Sequence, residues 1–168
     1  QLAATLQDFL GLAYDKVAIV VGAGNLGRAL AAYPGFDRYG MRIIALFDND
    51  PVKVGMTIGD KQVFPVSKLV NLVRRLHVQM GIITVPADQA QVIADLMVEA
   101  GIQVIWNFAP QRISVPSHVL LENEDLAARL ATLSYHITRQ KFSEQLSSHK
   151  DSSQPEQGLK QTTAGDMA

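Results

Sequence analysis

Lys16–Gly27 reads KVAIVVGAGNLG, and these residues decide the fold. After Lys16 an uncharged apolar run, Val17 to Val21, has the pattern of a strand buried on both faces. The run stops at Gly22, and the spacing Gly22-x-Gly24-x-x-Gly27 opens a helical pattern carried by Leu26, Ala29, Leu30 and Tyr33. A loop that leaves a strand and enters a helix turns free backbone N–H groups and the positive end of the helix dipole towards any bound anion. Gly22 is expected to make the tight turn, Gly24 to let a pyrophosphate approach the backbone, and Gly27 to let the helix pack close to the strand. Ala23, Asn25 and Leu26 complete the phosphate-binding stretch.

Glycines occupy many strand-to-helix turns, so the spacing alone says little. The next apolar strand adds weight. Arg42 to Phe47 ends in Asp48, twenty-one residues beyond Gly27, where a carboxylate can accept hydrogen bonds from an adenosine ribose. Asp50 is a rival for that contact, but the Pro51 behind it reads as a turn. Asp48 would also repel a 2′-phosphate, with Lys53 alone nearby to offset it, so NAD is expected over NADP.

The chain of 168 residues, 48% hydrophobic and 18% charged, has the material for one globular domain with a real core. A formal net charge of -1 leaves no electrostatic footprint for nucleic acid. With no cysteine there is neither a disulfide nor a thiolate metal site, and the four histidines (His77, His118, His136, His149) are scattered. No apolar run approaches the roughly 18 to 20 residues of a membrane span, and no signal-peptide pattern precedes the first strand, so a cytoplasmic setting is expected.

Gln1 to Leu12 places Leu2, Leu6, Phe9 and Leu10 at helical spacing, a surface helix or a connector helix to an expected upstream part. Pro34 and Gly35 end the helix after the glycine loop near Tyr33, which this reading puts on the carboxyl side of the sheet. Lys61–Phe64 is a strand, and Ser67 to Leu76 a helix capped by Ser67, with Arg74 and Arg75 on its solvated face. Met80–Val85 is a buried strand that brings Thr84, Val85 and Pro86 to the ligand-binding edge. Asp88–Ala100 is a helix stopped by Gly101, and Ile102–Trp106 a strand followed at the same edge by Asn107, Phe108 and Ala109, with Trp106 a packing residue. Val119–Leu121 makes a last strand, and Asn123 caps a helix over about 124–142. The apolar face of that helix (Leu126, Leu130, Leu133, Ile137) exceeds what packing on its own domain needs, so a partner subunit is expected. Residues 143–168 read as a flexible tail behind a nucleotide-binding domain at 13–142. The alternation of strand and helix specifies a Rossmann-type α/β domain, a doubly wound and mostly parallel sheet.

The stretches GAGNLGRALAAYPGF, FDNDPVKVG, TVP with Ala87, NFAP followed by VP, and NEDL with LSY in the last helix resemble, in order and spacing, the Rex family of bacterial redox-sensing transcriptional repressors. The likeness runs from about Leu2 to Ile137. It implies a homodimer whose C-terminal Rossmann domain binds NADH and NAD⁺, and whose winged-helix domain, upstream of this chain, binds operator DNA. It implies that the last helix is swapped between subunits, that Tyr33 lies near the nicotinamide, and that Asp125 pairs with Tyr33 in one state and with an arginine of the DNA-binding domain in the other. Leu126 stands where some relatives carry an aromatic that covers the nicotinamide from the partner subunit.

A pocket edged by Tyr33, Val85, Pro86, Phe108 and a partner's Leu126 would solvate the cationic ring of NAD⁺ poorly and favour the neutral ring of NADH. Closure of the dimer on NADH would then misplace the winged helices for two operator half-sites. Two other readings use the same loop. An NAD-dependent dehydrogenase would need a substrate domain and an acid or base beside the nicotinamide, and a CoA-binding domain of the ligase kind would use the same adenosine diphosphate contacts.

Overall fold

The run Val17–Val21 is buried on both sides, as its composition requires. Ala18 and Val20 enter one apolar cluster and Ile19 and Val21 the other, the period of two along a strand dividing the core between the two faces of a sheet. A computed structural model describes residues 16–151, with side chains from 16 to 147. The expected connector helix at 1–12 lies outside the described residues, as does the part of the expected tail beyond 151.

The elements follow in the order β1 (Lys16–Val21), α1 (Asn25–Ala32), a 3-10 turn (Pro34–Tyr39), β2 (Met41–Asp48), β3 (Thr57–Ile58), β4 (Lys61–Pro65), a second 3-10 turn (Val66–Lys68), α2 (Leu69–Leu76), β5 (Met80–Ile83), α3 (Ala87–Ala100), β6 (Val104–Asn107), β7 (Leu120–Asn123) and α4 (Leu126–Asp151). The strands form one seven-stranded sheet in the order β3-β4-β2-β1-β5-β6-β7. Every pairing is parallel except the short β3–β4 hairpin. The chain winds outward from β1 through β2 to β4, then crosses back to β5 and winds the other way. The strand order therefore reverses beside β1, and a crevice opens there at the carboxyl ends of the strands. This is the doubly wound Rossmann-type sheet that the alternation specifies.

α2 and α3 pack on one face through Leu69, Val73, Ile93 and Met97, and α1 packs on the other through Leu30 and Ala31. Gly81 on β5 leaves room for the Met97 thioether, which a Cβ there would strike. Gly101, at φ 97°, ends α3 in the left-handed conformation expected of a C-terminal glycine.

Several boundaries differ from the sequence reading, three of them at expected helix ends. Ser67 makes no cap hydrogen bond; it sits in the 3-10 turn that precedes α2, whose first helical residue is Leu69. Asn123 is the last residue of β7 instead of a helix cap, and its side chain is turned to Asn107 across the strand pair. α4 runs to Asp151, nine residues past the expected end at 142. No glycine or proline lies between 143 and 151, and the hydroxyls of Ser143 and Ser147 donate to carbonyls four residues back, at 3.0 and 2.9 Å, so these serines fit inside the helix.

The chain divides into two compact units, one reaching to Ala127 and the other starting at Ala128. The sheet and α1 to α3 make up the first. The second is α4 from Ala128 onward, whose Leu130, Leu133, Ile137, Phe142 and Leu146 are all exposed.

Met97 is 0% exposed and Val92, on the same helix, is 61% exposed. Met97→Ala is expected to lower the unfolding free energy by about 2–5 kcal/mol. Val92→Ala should stay within about 0.5 kcal/mol. Urea denaturation of the two variants checks the pair.

Candidate functional site

The glycine loop is built by close packing against β5. Gly22 has φ 111°, and a Cβ there would lie 2.6 Å from Thr84 Oγ1 and 2.7 Å from the Thr84 carbonyl oxygen. At Gly27 a Cβ would overlap the Gly22 carbonyl. Both positions therefore need glycine for the protein's own packing. The Thr84 hydroxyl donates towards the carbonyls of Val21 at 3.1 Å and Gly22 at 2.9 Å, and the Thr84 N–H donates to Val21 O at 2.9 Å. Thr84 thus binds the turn in place and spends its hydroxyl doing so.

Gly24 is different. Its φ of -78° suits any residue, and a Cβ would meet nothing within 4 Å. It caps α1 without a side-chain hydrogen bond, and the first turn carries no acid. The N–H groups at this helix start are therefore left to whatever occupies the space in front of them.

Asp48, at the carboxyl end of β2, ties the loop to its neighbouring strand. Its Oδ2 accepts the Ala23 N–H at 2.8 Å, and its Oδ1 accepts the Asp50 N–H at 2.8 Å. Lys53 Nζ lies 3.7 Å from Oδ2. Partial burial pushes the carboxyl up, but the backbone hydrogen bonds from Asp50 and Ala23 and the Lys53 charge outweigh it and hold Asp48 below its ordinary range. Asp50 turns inward on its own loop, Oδ1 accepting the Val52 N–H at 2.9 Å, as a turn residue does.

These parts surround a cavity of about 570 Å³ across the carboxyl ends of β1, β2, β4 and β5, within the roughly 300–1,000 Å³ of small-molecule sites. Gly22, Gly24, Asp48, Thr84, Val85 and Pro86 line it, all of them singled out from sequence. Lys53, expected near Asp48, lines it too, as do Asn49, Val66, Gln89 and Ile93, which the sequence reading did not place there. Gln89 had a legible signal, since it lies in the first turn of a helix that starts at the same edge. Arg28 was also missed: its Nε donates to Ala23 O at 3.1 Å, which sets a guanidinium beside the loop. Its position, four residues after Gly24 on the helix, was the available clue.

Other expected residues stand apart from this cavity. Tyr33 was expected on the carboxyl side of the sheet; it lies at the amino edge, in a separate cleft with Arg42, Asp60 and Lys61. The reason is geometric. A crossover helix runs antiparallel to its strand, so α1 begins at the carboxyl edge and returns the chain to the amino edge. Tyr33 is 58% exposed and meets Phe36 edge-on at 5.3 Å. Asn107 is 1% exposed and its amide is fully engaged. It donates to Gln111 O at 2.8 Å and to Asn123 Oδ1 at 2.9 Å, and it accepts the Ala109 N–H at 3.0 Å. Asn107 and Ala109 thus shape the turn after β6. Phe108 lies on the face that carries α1, its ring 4.5 Å from that of Trp106. Asp125 and Leu126 follow β7 and do not line the cavity. No cluster of histidine, aspartate or glutamate that could hold a metal ion occurs among the described residues.

Asp48 gives a pH prediction. Its folded pKa is depressed, so the stability it contributes is complete above the unfolded value of about 3.9 and is lost as pH falls through the lower folded value. Urea midpoints of the parent chain and of Asp48→Asn should differ by a constant amount at neutral pH and converge below about pH 4. A gap that persists undiminished to about pH 2.5 would contradict this role.

Residues 13–111 match the family model described as CoA binding domain. The chain is 46% identical over 132 residues to the redox-sensing transcriptional repressor Rex of Caldicellulosiruptor bescii, a match covering 79% of this chain and 61% of that protein. It is 45% identical over 128 residues to the Rex of Desulfitobacterium hafniense, covering 76% and 61%. Among solved structures it is similar to RSP, a Rex-family repressor, with a TM-score of 0.73 and 38% identity over 87% of this chain and 70% of that one. The complex of RSP with β-NADH gives 0.73, 38%, 86% and 70%. The complex with β-NAD⁺ and operator DNA gives 0.73, 37%, 88% and 68%. This chain thus spans 61% of the length of those two curated relatives. With a CoA-binding-type domain over residues 13–111, the chain belongs to the Rex family of redox-sensing transcriptional repressors.

Proposed function

We propose that this chain is the NADH- and NAD⁺-sensing part of a transcriptional repressor, and that the cavity at the carboxyl edge takes the adenosine diphosphate half of the dinucleotide. Gly24 carries the reading. Its glycine has no reason in the protein's own packing, and it sits where a pyrophosphate needs close access to the backbone. The Asp48 carboxylate keeps lone pairs for the ribose hydroxyls, Gln89 supplies an amide, and Lys53 and Arg28 balance the diphosphate charge. RSP was solved with β-NADH and with β-NAD⁺, which supports both forms as ligands here. The relatives are repressors, and the chain is assigned no catalytic residue.

In this reading the nicotinamide half passes over Gly24, Asn25 and Leu26 towards the face that carries Phe108. Asp125 and Leu126 would reach it from a partner subunit. A Tyr33 contact would need the ring to follow α1 for about 12 Å. Tyr33→Phe separates that contact from the rest, since unchanged NADH affinity would remove Tyr33 from the site. Dimerisation through α4 is supported by its exposed apolar residues. Operator DNA would be held by a winged-helix part in the share of the relatives' length that this chain does not span, in keeping with its formal net charge of -1. A cytoplasmic setting follows from that role, and no helix of the described residues is long and apolar enough to cross a membrane.

The CoA reading keeps a place because the matched family model bears that description. Fluorescence titration with NADH, followed by displacement with NAD⁺, NADPH and CoA, decides between them. The expected result is tight NADH binding that only a large excess of NAD⁺ reverses; binding of CoA alone would sink the proposal. Gly24→Ala should fold with nearly unchanged stability and lose at least about tenfold in NADH affinity, or 1.4 kcal/mol.

A further inference from the structure

Four methionines lie among the described residues, and three of them belong to the core. Met97 is 0% exposed against Gly81, and Met41 and Met80 are partly buried against the apolar cluster on the α1 face. Met56, directly before β3, is 39% exposed, and its sulfur has a polar partner: Arg28 Nη2 donates to Met56 Sδ at 3.5 Å. The same guanidinium donates through Nε to Ala23 O at 3.1 Å, within the glycine loop. The main chain of Met56 is fixed as well. Its N–H donates to Lys53 O at 3.1 Å, and its carbonyl accepts the Val63 N–H at 2.9 Å. Met56 does not line the nucleotide cavity. It nevertheless touches both cations that the nucleotide reading gives to the diphosphate, Arg28 through its side chain and Lys53 through its main chain.

We propose that Met56 is a modification site through which a hydroperoxide lowers the nucleotide affinity of this chain, an inference that rests on the nucleotide reading. In the step, a sulfur lone pair attacks one oxygen of hydrogen peroxide, so that the S–O bond forms as the O–O bond breaks. The departing hydroxide takes the proton from the transferred oxygen and leaves as water. Sulfur loses the two electrons that the peroxide gains, and no further reagent is needed. A thioether is a weak acceptor, whereas the sulfoxide is polar and its oxygen accepts hydrogen bonds strongly. The unbranched side chain can turn that oxygen onto Arg28 Nη2. Two effects then have the same sign. The guanidinium is drawn from the diphosphate towards Met56, and a negatively polarised oxygen is set beside a site built for an anion. Because NADH and NAD⁺ share the diphosphate, oxidation weakens both alike and leaves the ratio of their affinities unchanged.

The test treats the whole chain with hydrogen peroxide, removes the excess and titrates it with NADH and with NAD⁺, while mass spectrometry of proteolytic fragments locates the added oxygen. Oxygen is expected on Met56 before Met41, Met80 and Met97. Both affinities should fall at least about fivefold with their ratio constant. Methionine sulfoxide reductases of both stereospecificities should restore them. Met56→Leu should show no loss on the same treatment. In Arg28→Ala, Met56 should still be oxidised, with the loss reduced to less than about twofold. Oxidation of the core methionines ahead of Met56, a loss that persists in Met56→Leu, or full NADH affinity in a chain oxidised at Met56 would overturn the proposal. Failure of the untreated chain to bind NADH would overturn the nucleotide reading, and this proposal with it.

Discussion

The hydrogen bond from the Ala23 N–H to the Asp48 carboxylate is the constraint on which the site depends. It joins the loop after β1 to the end of β2 and acts with a second, purely backbone tie, Gly22 N–H to Phe47 O at 2.7 Å. On the other side of the loop, Thr84 holds the Val21 and Gly22 carbonyls from β5. The loop is thus clamped between both neighbours of β1 before any ligand arrives. A site organised in this way spends little of a ligand's binding free energy on ordering the protein. The depressed pKa of Asp48 reflects the same fact, since the charged carboxylate is the form that these backbone donors stabilise.

Much of this was legible in the sequence because it rests on local rules. The uncharged run before Gly22 could only be an interior strand, and the distance from Gly27 to Asp48 is that of one helix and one returning strand. Asp48 and the Thr84–Pro86 edge followed from that alternation. What was not legible required direction in space. Tyr33 was put on the wrong edge because a helical pattern reports where a helix stops, and its direction relative to the sheet has to be added from the crossover geometry. Asn107 read as a ligand contact because an asparagine at a strand end can serve either a ligand or its own turn. Only the positions of Gln111, Asn123 and Ala109 reveal the second use. Ser67 and Asn123 are good capping residue types, yet a 3-10 turn and a strand end claimed them first.

The three loop glycines carry separate kinds of information. Gly22 and Gly27 are demanded by packing, and their presence would be explained in a protein that binds nothing. Gly24 is free of that demand. A GxGxxG pattern is therefore a weak signal when counted as a motif and a stronger one when each glycine is asked what a Cβ would touch. The uncapped start of α1 points the same way, because a helix N-terminus with neither a side-chain cap nor an acidic first turn keeps its donors available.

Under the sensor reading, the contacts to the adenosine diphosphate half cannot account for discrimination. NADH and NAD⁺ share the adenosine diphosphate half, so every contact from Asp48, Gly24, Lys53 and Gln89 to that half contributes equally to both, and a ligand that binds two states equally shifts nothing. A sensor working where the oxidised form predominates needs roughly 3–5 kcal/mol between its ligands, about two to four powers of ten. The difference has to arise where the two molecules differ, at a ring that is cationic in one and neutral in the other, and desolvation of that charge is of the required size. Of the residues expected around such a ring, Val85 and Pro86 line the cavity, whereas Phe108 lies on the other face and Asp125 and Leu126 stand outside it. Affinity and selectivity are thereby separated in space. The first would belong to the clamped loop of one subunit and the second to whatever closes over the nicotinamide, so that in the proposed dimer the subunit arrangement would be the quantity that the redox state of the ligand controls.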